Sequence, residues 1–309
     1  MSASLLVIGS SNTDMIIRVP QIPRPGETLL GGTFSTAAGG KGANQAVSAA
    51  RAGGRVTFVA RLGSDVFGDQ AAAGFKKEKI NLKYLVRDPK APSGVALIFV
   101  SEQGENSIGV AGGANTRLSP ADIRAAAPAI KDADMVLLQL ETPIPTVIAA
   151  AKLAKKAGVP VLLNPAPAQA LPDELLANVS ILTPNETEAA ALTGIEVTNT
   201  ASAARAAEAL RARGVPTVII TLGAKGAWVA SPEGAEHVSG FEVKAVDSTA
   251  AGDTFNGALA VRLSEGAPLR EAVRFAHASA AISVTRLGAQ PSIPDRDEIS
   301  RFLKKAAKK

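Results

Sequence analysis

Six short runs constrain this chain most: SLLVIGS, RVTFVARLG, DMVLLQLE, VPVLLNPA, VSILTPN and VPTVIITLG, spread between residues 4 and 223. Each is almost wholly apolar, as parallel strands covered on both faces are. Stretches with helical spacing lie between them, at 41–53, 68–79, 119–131, 143–157 and 200–213. That alternation predicts βαβ units and a doubly wound, mainly parallel α/β sheet flanked by helices. The 309 residues suffice for one such core, and the expectation is a single domain over 1–309. In open sheets of this kind ligands bind beyond the carboxyl ends of the strands. The residues to watch therefore follow the runs: Asn12, Asp14, Gln139, Glu141, Asn164, Asn185 and Thr221 to Gly226.

Two stretches break the alternation. Residues 14–38 are rich in Pro and Gly but carry β-type residues, and 92–114 read as a hairpin turning at SEQGEN. They are expected to pair into a small β-sheet lid outside the main sheet, with long loops as the alternative. The apolar MII and LIFV segments are assigned to its outer face, which predicts a homodimer packed lid to lid.

Composition removes several function classes. With no cysteine there is no disulfide, thiolate metal site or cysteine nucleophile, and two histidines make a histidine-built metal site implausible. The net charge of +5 is scattered apart from the tail LKKAAKK, read as a solvated helix end, and aromatics are only 4%. A nucleic-acid partner is not expected; a diffuse positive field suits anionic substrates. No apolar run is long enough to span a bilayer and the N-terminus lacks a signal-peptide pattern, so no membrane partner and a cytoplasmic location are expected.

The glycine-rich motifs are unusual ones. AAGGKGAN, residues 37–44, fails the Walker pattern, because Ser35 and Gly42 stand where Gly and Ser/Thr are required. No G-x-G-x-x-G or G-x-S-x-G occurs, which argues against a dinucleotide fold and a hydrolase elbow. Gly39, Gly40 and Gly42 precede a helix expected from about Ala43. With Asn44, Asn12 and Asp14 they make a set suited to a polyol, whose hydroxyls each need a partner once dried. In TPNETEAAALTG, Asn185 and Glu188 share the first turn of a helix; Glu188 is either a capping-box partner or a holder of hydrated Mg²⁺. TLGAKGAWV is either a plain hairpin or a ledge along a nucleotide. In DSTAAGDTFNGALAVRL, Asp253 opens a helix whose apolar residues recur at Phe255, Leu259 and Leu263. It is either a cap of the first turn, or small residues there leave the amides bare for a phosphoryl group. At a helix start it is expected to be ionised at neutral pH.

GGKGANQA, NPAPA, TPNETEAAALTG, TLGAKG, AAGDTFNGAL and RFAHASAAISVTRLGAQPSIP occur in this order. Together they resemble the PfkB carbohydrate-kinase family over essentially the whole chain, and its ribokinase-like branch through GSSNTD, GVALIFV and QLETP. The resemblance implies ATP-dependent phosphorylation of D-ribose at the 5-hydroxyl. It implies Asp253 as general base and the amides of Ala250, Ala251 and Gly252 as an anion hole. Asn12, Asp14, Gly40, Lys41, Gly42, Ala43, Asn44 and Glu141 would line the sugar site. Asn185, Thr221, Leu222, Gly223, Ala224, Lys225, Gly226 and His277 would contact the nucleotide, along with Gly252 and Asp253. Glu188 would act on Mg²⁺ through water. A monovalent cation, K⁺, would be held by Asp247, the carbonyls of Thr249, Ser283, Arg286 and Gly288, and Ser292. The family's Asp-Thr-x-Gly-Ala-Gly-Asp is varied here by Ser248 and Ala250. Other readings are a kinase for another small polyol, such as 2-deoxyribose or a nucleoside, and a sugar sensor without catalysis; a sensor has no need of the retained Asp253, Gly252 and Glu188.

Overall fold

The structure, a computed structural model, describes residues 3–307; Lys308 and Lys309 of the basic tail lie outside the described residues. In the first third of the chain run β1 (Ser4–Ile8), β2 (Asn12–Val19), β3 (Thr33–Gly39), α1 (Lys41–Arg51), β4 (Arg55–Val59), β5 (Arg61–Gly63), α2 (Val66–Lys77), β6 (Val86–Asp88), β7 (Gly94–Ser101) and β8 (Asn106–Ala111). The middle holds α3 (Pro120–Ala125), α4 (Ala127–Lys131), β9 (Met135–Leu138), α5 (Ile144–Lys156), β10 (Val161–Leu163), α6 (Asp173–Leu176), β11 (Ile181–Leu182), α7 (Glu186–Thr193) and α8 (Thr200–Ala212). The chain continues through β12 (Thr217–Thr221), β13 (Ala227–Ser231), β14 (Gly234–Val238), α9 (Ala251–Ser264), α10 (Leu269–Ser283) and α11 (Arg296–Ala306).

All six apolar runs form strands of one sheet, ordered β14-β13-β12-β11-β10-β9-β1-β4, and the second run continues past a break into β5. The pairs from β4 to β12 are parallel; β13 and β14 add antiparallel edges. The runs lack polar alternation because both faces are covered. Side chains alternate across a strand, so Leu5 and Val7 enter one core with α1, α9 and α10, and Leu6 and Ile8 enter another with α5 and α8. The 119–131 stretch is two helices rather than one, because Pro128 has no amide to continue the ladder of α3. TLGAKGAWV is a hairpin whose turn is a short 3₁₀ segment, Gly223–Lys225.

The two insertions pair as expected into a second sheet, ordered β3-β2-β7-β8. Its apolar segments are not collected on one face, however. The register aligns Asp14 with Ala96 and Ile16 with Ile98, and Ile98 with Ile108 and Ala96 with Val110. Ile16, Ile98, Ile108 and Val110 therefore share the face of Asp14, while Met15, Ile17, Leu97 and Phe99 share the opposite one. The strand period divides MII and LIFV between the two faces, which corrects the assignment of both to the outside. The sheet is rooted at three places. Asp88 is buried and accepts from Arg61 and Arg117. Asp65 accepts from the amide and hydroxyl of Ser93. Asn115 holds both backbone groups of Ser11.

α1 and α9 cross so closely that a Cβ on Gly257 would stand 2.5 Å from Ser48 Cβ and 2.7 Å from the Gln45 carbonyl. Gly257→Val should therefore destabilise the protein by about 2 kcal/mol or more, seen in urea unfolding as a lower midpoint at unchanged slope; an unchanged midpoint would show that the crossing tolerates bulk.

Candidate active site

The carboxyl ends of the parallel strands deliver Asn164, Thr183 and Thr221 to one cleft of about 200 Å³, open to solvent. α1 contributes Lys41, α7 contributes Glu188 with Asn185 as its N-cap, and the start of α9 contributes Ala250, Ala251, Gly252 and Asp253. Residues from five separate stretches of sequence thus meet at the edge where ligands of such sheets bind.

No side chain caps α9, and Ala250 enters it in the left-handed conformation, with φ 59°. The Ala251 amide donates to the Ser248 carbonyl at 3.2 Å, so of the three amides expected to receive an anion this one is already engaged. Asp253 does not turn back on the helix as a cap. Its Oδ2 accepts from Asn44 Nδ2 and its Oδ1 from Gln45 Nε2, both at 3.0 Å. Burial pushes its pKa up, opposed by the Lys41 ammonium and the two amide donors, while Glu141 adds to the rise. The helix-dipole expectation of a readily ionised Asp is thus outweighed by desolvation. At Lys41 burial works against the ammonium, but Asp253, Glu141 and Glu188 prevail and raise its pKa.

α1 starts at Lys41, two residues earlier than expected, after Gly40 at φ 88°. Gly42 is consequently inside the first turn and buried, where a Cβ would meet Ser10 N at 2.5 Å. Its small size serves helix-to-strand contact rather than ligand approach. Ala43 is fully buried in the core, and its amide donates to the Ser10 carbonyl. Glu141 Oε2 accepts from the Ser10 hydroxyl at 2.5 Å and the Lys41 amide at 2.9 Å, anchoring the start of a helix that has no side-chain cap of its own.

Asn12 and Asp14 are not in a loop after β1 but are the first and third residues of β2, on the same face of the small sheet. Burial, with Glu141 and Asp253 nearby, raises the pKa of Asp14 to about 6. Both readings of Glu188 find a basis. It forms a capping box with Asn185, which donates to both carboxylate oxygens, and it also faces the cleft. Burial raises its pKa.

Of the TLGAKG segment, Thr221 lines the cleft, Gly223 to Lys225 are exposed, and Leu222 is 4% exposed and packs in the core. A Cβ at Gly226 would stand 2.1 Å from the Val238 carbonyl. His277 is buried on α10, 4.9 Å from the Phe255 ring and not in the cleft wall. Burial lowers its pKa to about 4, so the ring is neutral at physiological pH.

DSTAAGD and VTRLGAQPS fold together as expected. Val246 and Asp247 amides donate to the Val284 carbonyl, and the Gly288 amide donates to Asp247 Oδ2 at 2.9 Å. The other Asp247 oxygen takes the Thr249 amide and hydroxyl. These bonds outweigh burial and hold Asp247 below the usual carboxylate range. The Ser283 carbonyl accepts from the Arg286 amide, and Ser292 is buried with its hydroxyl on the Ala289 carbonyl.

Four residues of this constellation had no role from sequence: Gln45, Gln139, Asn115 and Asn256. Gln45 Nε2 also donates to Asn164 Oδ1, Gln139 donates to Gln45 Oε1, and Asn115 donates to Asn12 Oδ1. Asn256 links Thr183 to the Gly252 carbonyl. Gln139 was visible as a strand-end residue and Gln45 lies in GGKGANQAV; their partners lie 94 or more residues away, beyond any local pattern.

A mainly parallel α/β sheet whose carboxyl edge gathers a buried carboxylate, a lysine and an uncapped helix start defines an enzyme suited to an anionic, hydroxyl-bearing substrate. The chain belongs to the pfkB family of carbohydrate kinases, whose model matches residues 2–296. It is 49% identical over 306 residues to a ribokinase of Haemophilus influenzae, covering 99% of this chain and 100% of that one. It is 39% identical over 300 residues to a deoxyribokinase of Salmonella typhi, covering 97% and 98%. The structure of an Arabidopsis thaliana ribokinase complexed with ribose and ATP superimposes with a TM-score of 0.91 at 37% identity, covering 98% of this chain and 99% of that one.

Ala250 occupies a backbone region costly for any residue with a Cβ and forbidding for a β-branched one. Ala250→Val should destabilise by about 2 kcal/mol in urea unfolding, whereas Ala250→Gly should not destabilise; equal losses would mean that packing, not backbone, governs this position.

Proposed function

We propose that this chain transfers the γ-phosphoryl group of ATP to the 5-hydroxyl of D-ribose, giving ribose 5-phosphate and ADP. The observation that carries this reading is the buried Asp253 carboxylate, held by Asn44 and Gln45 in the first turn of α9 at the cleft wall. The family and the high identity to ribokinases support it.

Phosphoryl transfer of this kind is mostly positioning and charge stabilisation. Asp14, Asn12 and Asn44 are assigned to the sugar hydroxyls, with Glu141 and the backbone of Gly40 and Lys41 closing the site. Asp253 orients the 5-hydroxyl and takes its proton as the new O–P bond forms and the bond from the γ-phosphorus to the bridging oxygen of ADP breaks. Its raised pKa improves its match to an alcohol proton. The amides of Ala250 and Gly252 at the start of α9 are assigned to the phosphoryl oxygens, and the Lys41 ammonium neutralises charge beside them. Asn185, Thr221 and the exposed Gly223–Lys225 turn are assigned to the nucleotide; His277, buried against Phe255 and outside the cleft wall, does not join them.

Glu188 faces the cleft with both oxygens bonded to Asn185, which suits contact with Mg²⁺ through water; the ion supplies charge neutralisation on the phosphates. The oxygen-rich junction of Asp247, Thr249, Ser283, Arg286, Gly288 and Ser292 has the donor chemistry for K⁺, which would stiffen the α9 entry; higher turnover in K⁺ than in Na⁺ at equal ionic strength is the check. The small sheet is assigned as a lid. Its exposed apolar residues on the face away from Asp14, including Leu97, support pairing with a second copy, measurable by light scattering. Among the described residues no helix is long and apolar enough to cross a membrane.

ADP release measured over pentoses, hexoses and nucleosides tests the reading; ribose should give the highest kcat/KM. Asp253→Asn should lower kcat roughly 100-fold or more with sugar binding little changed; near-normal turnover would require another base.

Deoxyribose is the nearest competitor, given the deoxyribokinase relative. Asp14 can accept from the 2- and 3-hydroxyls together, and loss of one leaves a buried acceptor unpaired. Ribose should exceed 2-deoxyribose by about 5- to 150-fold in kcat/KM, and Asp14→Ala should erase the preference. The Asp14 pKa is about 6, raised, so the carboxylate that accepts both hydroxyls is present above that value and lost below it. The ribose KM should rise as pH falls through 6 in the wild type and stay level in Asp14→Asn. A preference that survives Asp14→Ala would remove the diol assignment.

A further inference from the structure

We propose that Gln45 is a positioning residue for this reaction: it fixes the Asp253 carboxylate and keeps it in its proton-accepting form, and Gln139 sets the direction in which Gln45 points. The inference rests on the reading of Asp253 as the base, and it adds a two-residue relay behind it.

The geometry is specific. Gln45 is fully buried on α1. Its Nε2 donates to Asp253 Oδ1 at 3.0 Å and to Asn164 Oδ1 at 3.1 Å. A primary amide nitrogen has two hydrogens, so both are spent. Its Oε1 accepts from Gln139 Nε2 at 2.6 Å. A reversed Gln45 would aim oxygen at the Asp253 carboxylate and nitrogen at the nitrogen of Gln139. Gln139 thus selects the face that Gln45 shows to the base. Gln139 Oε1 packs against Gly9, 2.1 Å from where a Cβ there would stand, and accepts no hydrogen bond, so packing alone holds it.

The relay matters because of the charges that surround Asp253. Lys41 on α1 favours the anion. Glu141 after β9, Asp14 on β2 and Glu188 on α7 are acids coupled to the same carboxylate. Three acids and burial disfavour a further negative charge, against one ammonium. An ionised carboxylate only accepts hydrogen bonds, so each fixed donor favours the anion over the acid. Asn44 holds Oδ2 and Gln45 holds Oδ1. With one donor on each oxygen the carboxylate plane is set, and lone pairs remain for the substrate hydroxyl. Asn44 is assigned to the sugar set; Gln45 is fully buried behind it, and its donor does not depend on ligand.

The test uses the full-length protein and two readouts, the pH profile of ribose kcat/KM and the titration of the Asp253 carboxyl carbon by ¹³C NMR, assigned through Asp253→Asn. Gln45→Met keeps the volume and removes the donor. The acid limb and the Asp253 titration should both move up by about one pH unit, with the KM for ATP unchanged. A purely packing role would lower activity equally at every pH and leave the titration in place, and that result overturns the proposal. Gln139→Leu leaves Gln45 intact but frees it to turn; a smaller shift in the same direction is expected. Should Gln45→Met fail to fold, Gln139→Leu decides alone, and an unmoved titration in it overturns the relay. If the wild type phosphorylates no sugar, the functional reading falls, while the carboxyl titration in the same variants still supports or refutes the role of Gln45.

Discussion

Everything at this site depends on the contact between α1 and α9. The two amide donors to Asp253 leave from consecutive residues of α1 and reach a carboxylate in the first turn of α9. They can do so only because Gly257 lets the helices approach until Ser48 and the Gln45 backbone fill the place of a side chain. The Ser48 hydroxyl then donates to the Thr254 carbonyl, one residue beyond Asp253. Packing and polar chemistry are therefore one arrangement: the crossing that excludes water also strengthens each hydrogen bond within it.

That crossing is fixed in turn by the sheet. α1 begins where Glu141, from the far side of β9, receives the Lys41 amide and the Ser10 hydroxyl together. One carboxylate thereby ties the end of β1, the start of α1 and the end of β9. The acids crowd one another as a result, and the raised pKa values of Asp14, Glu188 and Asp253 are the electrostatic signature of that crowding and of burial.

Much of this was legible in the sequence because it is periodic or local. The parallel strands announced themselves as unbroken apolar runs, and the Asn185–Glu188 pair as residues three apart. The hairpin at 92–114 announced itself by a polar turn between β-type segments. What failed to show is non-local or depends on a single residue of register. MII and LIFV read as blocks, yet a strand splits any block between two faces. Gly42 looks ligand-facing from its glycine-rich motif, but α1 begins at Lys41 and turns it onto the end of β1. Asp253 lies in the first turn of a helix whose dipole favours its anion, but burial, with Glu141 adding to it, outweighs that local effect. Gln45 and Gln139 lie inside recognisable motifs and Asn115 in none, yet the role of each lies in partners about a hundred residues or more away.

The face of the small sheet that bears Asp14 also bears Ile108 and Val110, which are 54% and 56% exposed. In the lid role proposed for this sheet, a polar substrate would be met by oily side chains that lie mostly in water. Drawing that face down on a sugar removes apolar surface from solvent, and the thermodynamic mark of such burial is a negative heat-capacity change. Association with so hydrophilic a molecule as a pentose would then become steadily more exothermic on warming, with the calorimetric signal coming from the protein's own closure rather than from the sugar.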